Sequence, residues 1–221
     1  MPSTPLTAIR QPAATTLPLI LLALFAAEWI ALAISPLDRH DWLLENALPL
    51  LALPLIVFAY RRRLFSNLTY VALFAFMVLH EIGAHYTYAK VPYDAWFQQL
   101  TGHSLDHLLG LQRNSFDRLV HFLYGLLLFP LFWELFAPHI AAKGPWRALL
   151  VGMFITAHAG IYEVIEWLAA DLFGGDLGVA YLGTQGDEWD AQKDMAMAFL
   201  GTALALLILF ARQRRARQAG R

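Results

Sequence analysis

The sequence predicts an all-α polytopic membrane protein, a bundle of six transmembrane helices, on three observations. Hydrophobic residues make up 58% of the 221-residue chain and charged residues 15%, where a soluble domain carries roughly 25% charged. The apolar residues gather into runs close to the about 20 needed to cross the hydrocarbon core. Lysines and arginines fall on alternate connections between those runs, the pattern the positive-inside rule expects of a helical bundle. The chain has no cysteine, which excludes a disulfide scaffold, a thiolate metal site and a cysteine nucleophile. Its charge of −1 and its apolar mass exclude a disordered tail protein and a basic nucleic-acid binder.

The expected spans follow in order. Leu17–Ile34 comes first, behind Arg10. Arg10, the apolar run and Ala31-Leu32-Ala33 also fit a cleavable signal peptide, but Glu28 and the length of the run favour a retained helix. Trp42–Tyr60 is second, carries Pro49 and Pro54, and stops at Arg61, Arg62 and Arg63. Prolines are tolerated here because neighbouring helices can satisfy the carbonyls they free. Leu68–His85 is third, and Phe116–Phe136, with Pro130 inside it, is fourth. Lys143 and Arg147 introduce the fifth, Trp146–Ala170. Ala191–Ala211 is sixth, and the arginines from Arg212 to Arg221 suit an anionic cytoplasmic leaflet. One set of connections then holds 11 Lys and Arg, and the other holds 5: Arg39, Lys90, Arg113, Arg118 and Lys193. Both termini are therefore expected in the cytoplasm. No internal repeat or second domain is visible, so residues 1–221 read as one integral membrane domain.

Ionisable groups inside such helices cost on the order of 2.5–3.5 kcal/mol each and need a reason. They concentrate toward the outer, periplasmic ends. Glu81 and His85 end the third span, Asp117 and His121 begin the fourth, Glu163 and Glu166 close the fifth, and Asp190 and Asp194 open the sixth. Each pair is three or four residues apart and so shares a helix face. Carboxylate and His one turn apart hold metals in di-metal bundles. The expected metal ligands are Glu81, His85, Asp117, His121, Glu166, Asp190 and Asp194, with Glu163 as the general base for an activated water. Oxygen and nitrogen donors without sulfur suit a divalent ion of the Zn, Mn or Fe type. The nearby cations are only Arg113, Arg118 and Lys193, each expected near the water interface, against six acids. A metal-free network sharing protons is the alternative. His80-Glu81 resembles the start of a zincin motif, but His80 and His85 are five apart and face different ways, so His80 reads as a supporting or packing residue. His158 reads as core packing, while Glu28 and Glu134 carry no assigned role.

The connection Tyr86–Ser115 is long, a length that signals function or local structure. Its aromatic residues suit the interface, and a short helix from Pro92 can lie over the site. His103 and His107 read as solvated. In the glycine-rich connection after Asp171, Asp187 reads as the N-cap of the last helix.

His80-Glu-Ile-Gly-Ala-His85, Arg113-Asn-Ser-Phe-Asp-Arg-Leu-Val-His121, Tyr162-Glu-Val-Ile-Glu-Trp167 and Gly183-Thr-Gln-Gly-Asp-Glu-Trp-Asp-Ala-Gln-Lys-Asp-Met195 resemble the YjdF-like family of bacterial inner-membrane proteins. The resemblance covers nearly the whole chain. It implies a multi-pass inner-membrane protein and no particular reaction. The residues themselves suggest a metal-dependent membrane enzyme acting from the periplasmic side on a lipid-linked or amphiphilic substrate. An ion, proton-coupled or metal transporter and a non-catalytic scaffold are the competing readings. The expected partner is the lipid bilayer, with no nucleic acid.

Overall fold

A computed structural model describes residues 16–219, all of whose regular structure is helical. Arg10 and Arg221, both used in the charge argument, lie outside the described residues. The helices are α1 (Thr16–Leu32), α2 (Arg39–Glu45), α3 (Ala47–Arg61), α4 (Asn67–His85), α5 (Tyr93–Thr101), α6 (Leu105–Leu109), α7 (Phe116–Leu127), α8 (Phe129–Phe136), α9 (Pro145–Phe173), α10 (Gly175–Leu182) and α11 (Asp190–Ala219). Five stretches are long and apolar enough to cross a membrane: Arg39–Arg61, Asn67–His85, Phe116–His139, Pro145–Phe173 and Asp190–Ala219. The apolar α1 has 17 residues, about 26 Å at 1.5 Å per residue, a little short of the hydrocarbon thickness.

Two of these stretches are broken, and in each a proline stands near the break. α2 and α3 meet at Asn46. Pro49 has no N–H to give to the carbonyl of Glu45, four residues back. That carbonyl is instead met by His80 Nε2 of α4 at 3.2 Å. Likewise α7 and α8 meet at Leu128, just ahead of Pro130.

The tightest pair is α7 with α11. A methyl group on Gly201 would lie 1.9 Å from the Phe122 carbonyl oxygen, and one on Gly125 would lie 2.1 Å from that of Ala198. These two glycines let the backbones touch, as small residues do in membrane interfaces. Below this contact Phe129, Trp133, Val151, Ile155 and Leu209 form an apolar core among α8, α9 and α11. Glu134 of α8 accepts the Ser66 N–H at 2.8 Å just ahead of α4, so it ties a helix start to the bundle. Packing in this way fixes the acid-bearing ends of α7, α9 and α11 side by side. The acid-bearing end of α4 lies with α2 and with the end of α1, where Leu37 N–H bonds to the His85 carbonyl at 2.9 Å.

Candidate functional site

The acids fall into two groups. The first is built by α7, α9, α11 and the turn before α11. Arg113 stands one turn ahead of Asp117 and donates to it at 2.9 Å, to the Thr184 carbonyl at 2.9 Å, and to Asp190. Arg118 reaches Asp187 at 2.5 Å and Asp190 at 3.4 Å. Both guanidiniums turn toward the acids. Their stems place them under the loop, where they tie three segments together. Asp187 caps the turn that opens α11: its side chain accepts the Trp189 N–H at 3.1 Å and its carbonyl the Asp190 N–H at 3.3 Å. It also accepts the Lys193 ammonium at 2.6 Å. The Lys193 contact, with the Trp189 N–H and Arg118, holds its carboxyl down at about 2.

Deeper in the same group neither guanidinium forms an ion pair. His121 Nε2 lies 3.6 Å from Glu163 Oε1. His121, Glu163 and Asp194, from three different helices, each offer a ligand atom within 4.8 Å of the others. Glu163 Oε1 and Asp194 Oδ1 are buried without a hydrogen-bond partner. Glu166 faces Glu163 and the hydroxyl of Tyr162. Asp117, Asp190 and Asp194 also gather within 4.8 Å, but Arg113 already occupies two members of that set. Arg113, Arg118 and Lys193 offset Asp117, Asp187 and Asp190. Glu163, Glu166 and Asp194 are left without a Lys or Arg ion pair among the described residues.

Glu81 and His85 do not join this group. His85 Nδ1 donates to the Leu32 carbonyl at 2.8 Å and fastens α4 to α1. Glu81, fully buried, lies in a second group with Asp41 and Glu45 of α2, which are 1% and 5% exposed, and with Glu28 of α1. Asp41 and Glu45 form an i,i+4 pair like the others. They escape the sequence reading because they straddle the expected start of the second span at Trp42.

His80 lies between the groups. Its Nε2–H is committed to the Glu45 carbonyl, so Nδ1 accepts from the Tyr88 hydroxyl at 2.5 Å. Gly83 makes room for the Tyr88 ring, since any Cβ there would meet it at 2.6 Å. Burial, then the charges of Glu45, Glu166 and Glu81, push the Tyr88 phenol well above its ordinary value, so it remains a neutral donor. Tyr181 is raised by burial and by Glu45 and Glu166 in the same way. His158 is exposed rather than in the core, and pairs with the Tyr124 hydroxyl at 2.7 Å.

The long outer connection folds into the α5–α6 hairpin, with the short helix expected from Pro92 in place. Asp94 accepts the Ser104 hydroxyl and the Asp106 N–H, at 3.0 and 2.9 Å, and the Asp106 N–H bond foremost lowers its pKa. Tyr93 donates to Asp106 at 2.6 Å and accepts the Ser115 N–H at 3.0 Å. Trp96, Leu100, Leu108 and Leu109 remain exposed on this hairpin.

Residues 17–215 match a family model described as "Predicted membrane protein (DUF2238)". The chain is 36% identical over 205 residues to "Inner membrane protein YjdF" of Escherichia coli (strain K12), covering 92% of this chain and 90% of that protein. No solved structure matches it significantly.

Proposed function

The chain belongs to the DUF2238 family of membrane proteins and is a multi-pass membrane protein; from that premise we propose that it is a metal-dependent enzyme of the bacterial inner membrane. The observation that carries this reading is the His121–Glu163–Asp194 set, three ligand side chains from three helices within 4.8 Å, with unpartnered buried oxygens on two of them. One imidazole and two carboxylates suit a Zn, Mn or Fe ion that keeps an open position for water. Such an ion would lower the pKa of that water and supply a nucleophile. With Glu163 among the ligands, Glu166 beside it is the carboxylate free to accept the proton. Arg113 and Arg118, fixed on Asp117 and Asp190, hold the helix ends at the spacing the ion needs. The positive-inside bias supports cytoplasmic termini and a site toward the periplasm. The exposed Trp96 and Leu100 of the hairpin suit an amphiphilic or lipid-linked substrate approaching along the outer leaflet.

Elemental mass spectrometry on protein purified without chelator tests this. About one equivalent of Zn, Mn or Fe per chain is expected, lost in His121→Ala and in Asp194→Ala and kept in Glu81→Gln. No metal in the wild type after reconstitution with each ion would remove the centre. A second reading, cation transport, is favoured by the Tyr88 and Tyr181 hydroxyls, which sense both acid groups. Metal flux into proteoliposomes that stops in Glu166→Gln would support it over catalysis.

A further inference from the structure

We propose that Glu28, Asp41, Glu45 and Glu81 form a second cation site between α1, α2 and α4, taking a hard divalent ion of the Mg²⁺ or Ca²⁺ class. Asp41, Glu45 and Glu81 are 1%, 5% and 0% exposed. Both oxygens of Asp41, both of Glu81 and Oε2 of Glu45 are buried without a hydrogen-bond partner, as is Glu28 Oε2. Among the described residues no Lys or Arg forms an ion pair with any of these acids, and Lys90 acts only at a distance, on Asp41 alone. Arg39, close in sequence, is drawn off to the Ala33 carbonyl at 2.7 Å and to the Trp42 ring. Buried water can satisfy hydrogen bonds, but it cannot offset charge.

The donor chemistry narrows the ion. Both nitrogens of His80 are committed, to Tyr88 and to the Glu45 carbonyl, and only oxygens remain. All-oxygen sites favour hard cations over Zn or Fe. Among the described residues, the groups that close to 4.8 Å belong to the other cluster. Mg²⁺ is held by one or two carboxylates and keeps several waters, so it does not need three ligand atoms within that distance. Trp42, next to Asp41 on α2, also has its Nε1–H buried without a hydrogen-bond partner. Asn46 accepts from Trp29 at 2.6 Å, donates to the Trp42 carbonyl at 2.8 Å and turns its remaining amide hydrogen toward Glu81. A neutral amide offsets no charge, so the acids stay uncompensated.

The site is read apart from the His121 centre by working in the His121→Ala protein. After chelator stripping, Mg²⁺ alone and Ca²⁺ alone are added, and binding by calorimetry and thermal unfolding are followed. Saturable binding near one equivalent is expected, with a rise in Tm. Affinity should fall by about tenfold or more in Glu81→Gln and in Asp41→Asn, and either variant suffices if the other does not fold. Whichever ion binds more tightly identifies the member of the class. No binding and no Tm change with either ion in the His121→Ala protein would overturn the proposal and leave the His121 centre untouched. So would an infrared band of protonated carboxylic acid that persists in the ion-saturated protein and disappears in Glu81→Gln, because protons would then stand where the ion is assigned.

Discussion

The two acid groups lie at the same end of the bundle and are neutralised in opposite ways. At α7 and α11 the protein brings its own cations, with Arg113 on Asp117 and Asp190, and Arg118 on Asp187 and Asp190. At α1, α2 and α4, Asp41, Glu45 and Glu81 are at least as buried, and no basic side chain among the described residues pairs with them. A buried ion pair binds helices to one another, whereas a buried acid without a partner is a liability until something enters to meet it. The first arrangement is therefore built into the fold, and the second depends on what the solution supplies. The His121–Glu163–Asp194 set joins the two kinds: Asp194 also lies within 4.8 Å of the acids that Arg113 holds, yet no arginine forms an ion pair with the set.

Charge-removing substitutions test this contrast. Arg113→Ala has the largest expected effect. It leaves Asp117 and Asp190 short of their cation at a site where Arg113 is 12% exposed, and breaking such a pair costs about 3–5 kcal/mol. Loss of monodisperse protein on size-exclusion chromatography is the expected readout, with Arg113→Lys intermediate because it cannot fork between two carboxylates. A wild-type elution profile for Arg113→Ala would mean that the network does not hold the helices. Next come matched acid-to-amide changes in chelator-stripped protein. Asp190→Asn should lower Tm, since it takes a carboxylate from two guanidiniums, and Glu81→Gln should leave Tm unchanged or raise it. Equal losses from both would erase the distinction between the groups.

The smallest effect concerns pH. Asp187 is held at about 2 by Lys193, the Trp189 N–H and Arg118, against an ordinary value of about 3.9. A carboxyl lowered on folding contributes its full stability above the unfolded value and loses it as pH falls through the folded one. Thermal unfolding followed between about pH 5 and pH 2 should therefore show a downward step in the wild type. That step should be absent from Asp187→Asn, and its persistence there would assign it to another acid.

Much of this was legible in the chain. The apolar runs and the i,i+4 pairing of Asp117 with His121 and of Asp190 with Asp194 are properties of single helices, set by residue spacing and hydropathy. So is the depth of each acid below its helix end, through the fixed rise per residue. Partners across helices are not local in this sense. That Glu81 meets Asp41 and Glu45, while Asp194 meets His121 and Glu163, depends on which outer ends are neighbours. The Gly125–Gly201 contact and the seating of His80 on the carbonyl freed by Pro49 decide that neighbourhood. The inward turn of Arg113 and Arg118 was likewise invisible, because a flexible cationic side chain goes to the carboxylate that packing brings within reach. By itself the sequence determined a membrane bundle with its acids at one end, since burial in lipid acts on each helix separately. Only the tertiary structure decided which acids received an internal counter-charge, because that is a matter of distances between helices.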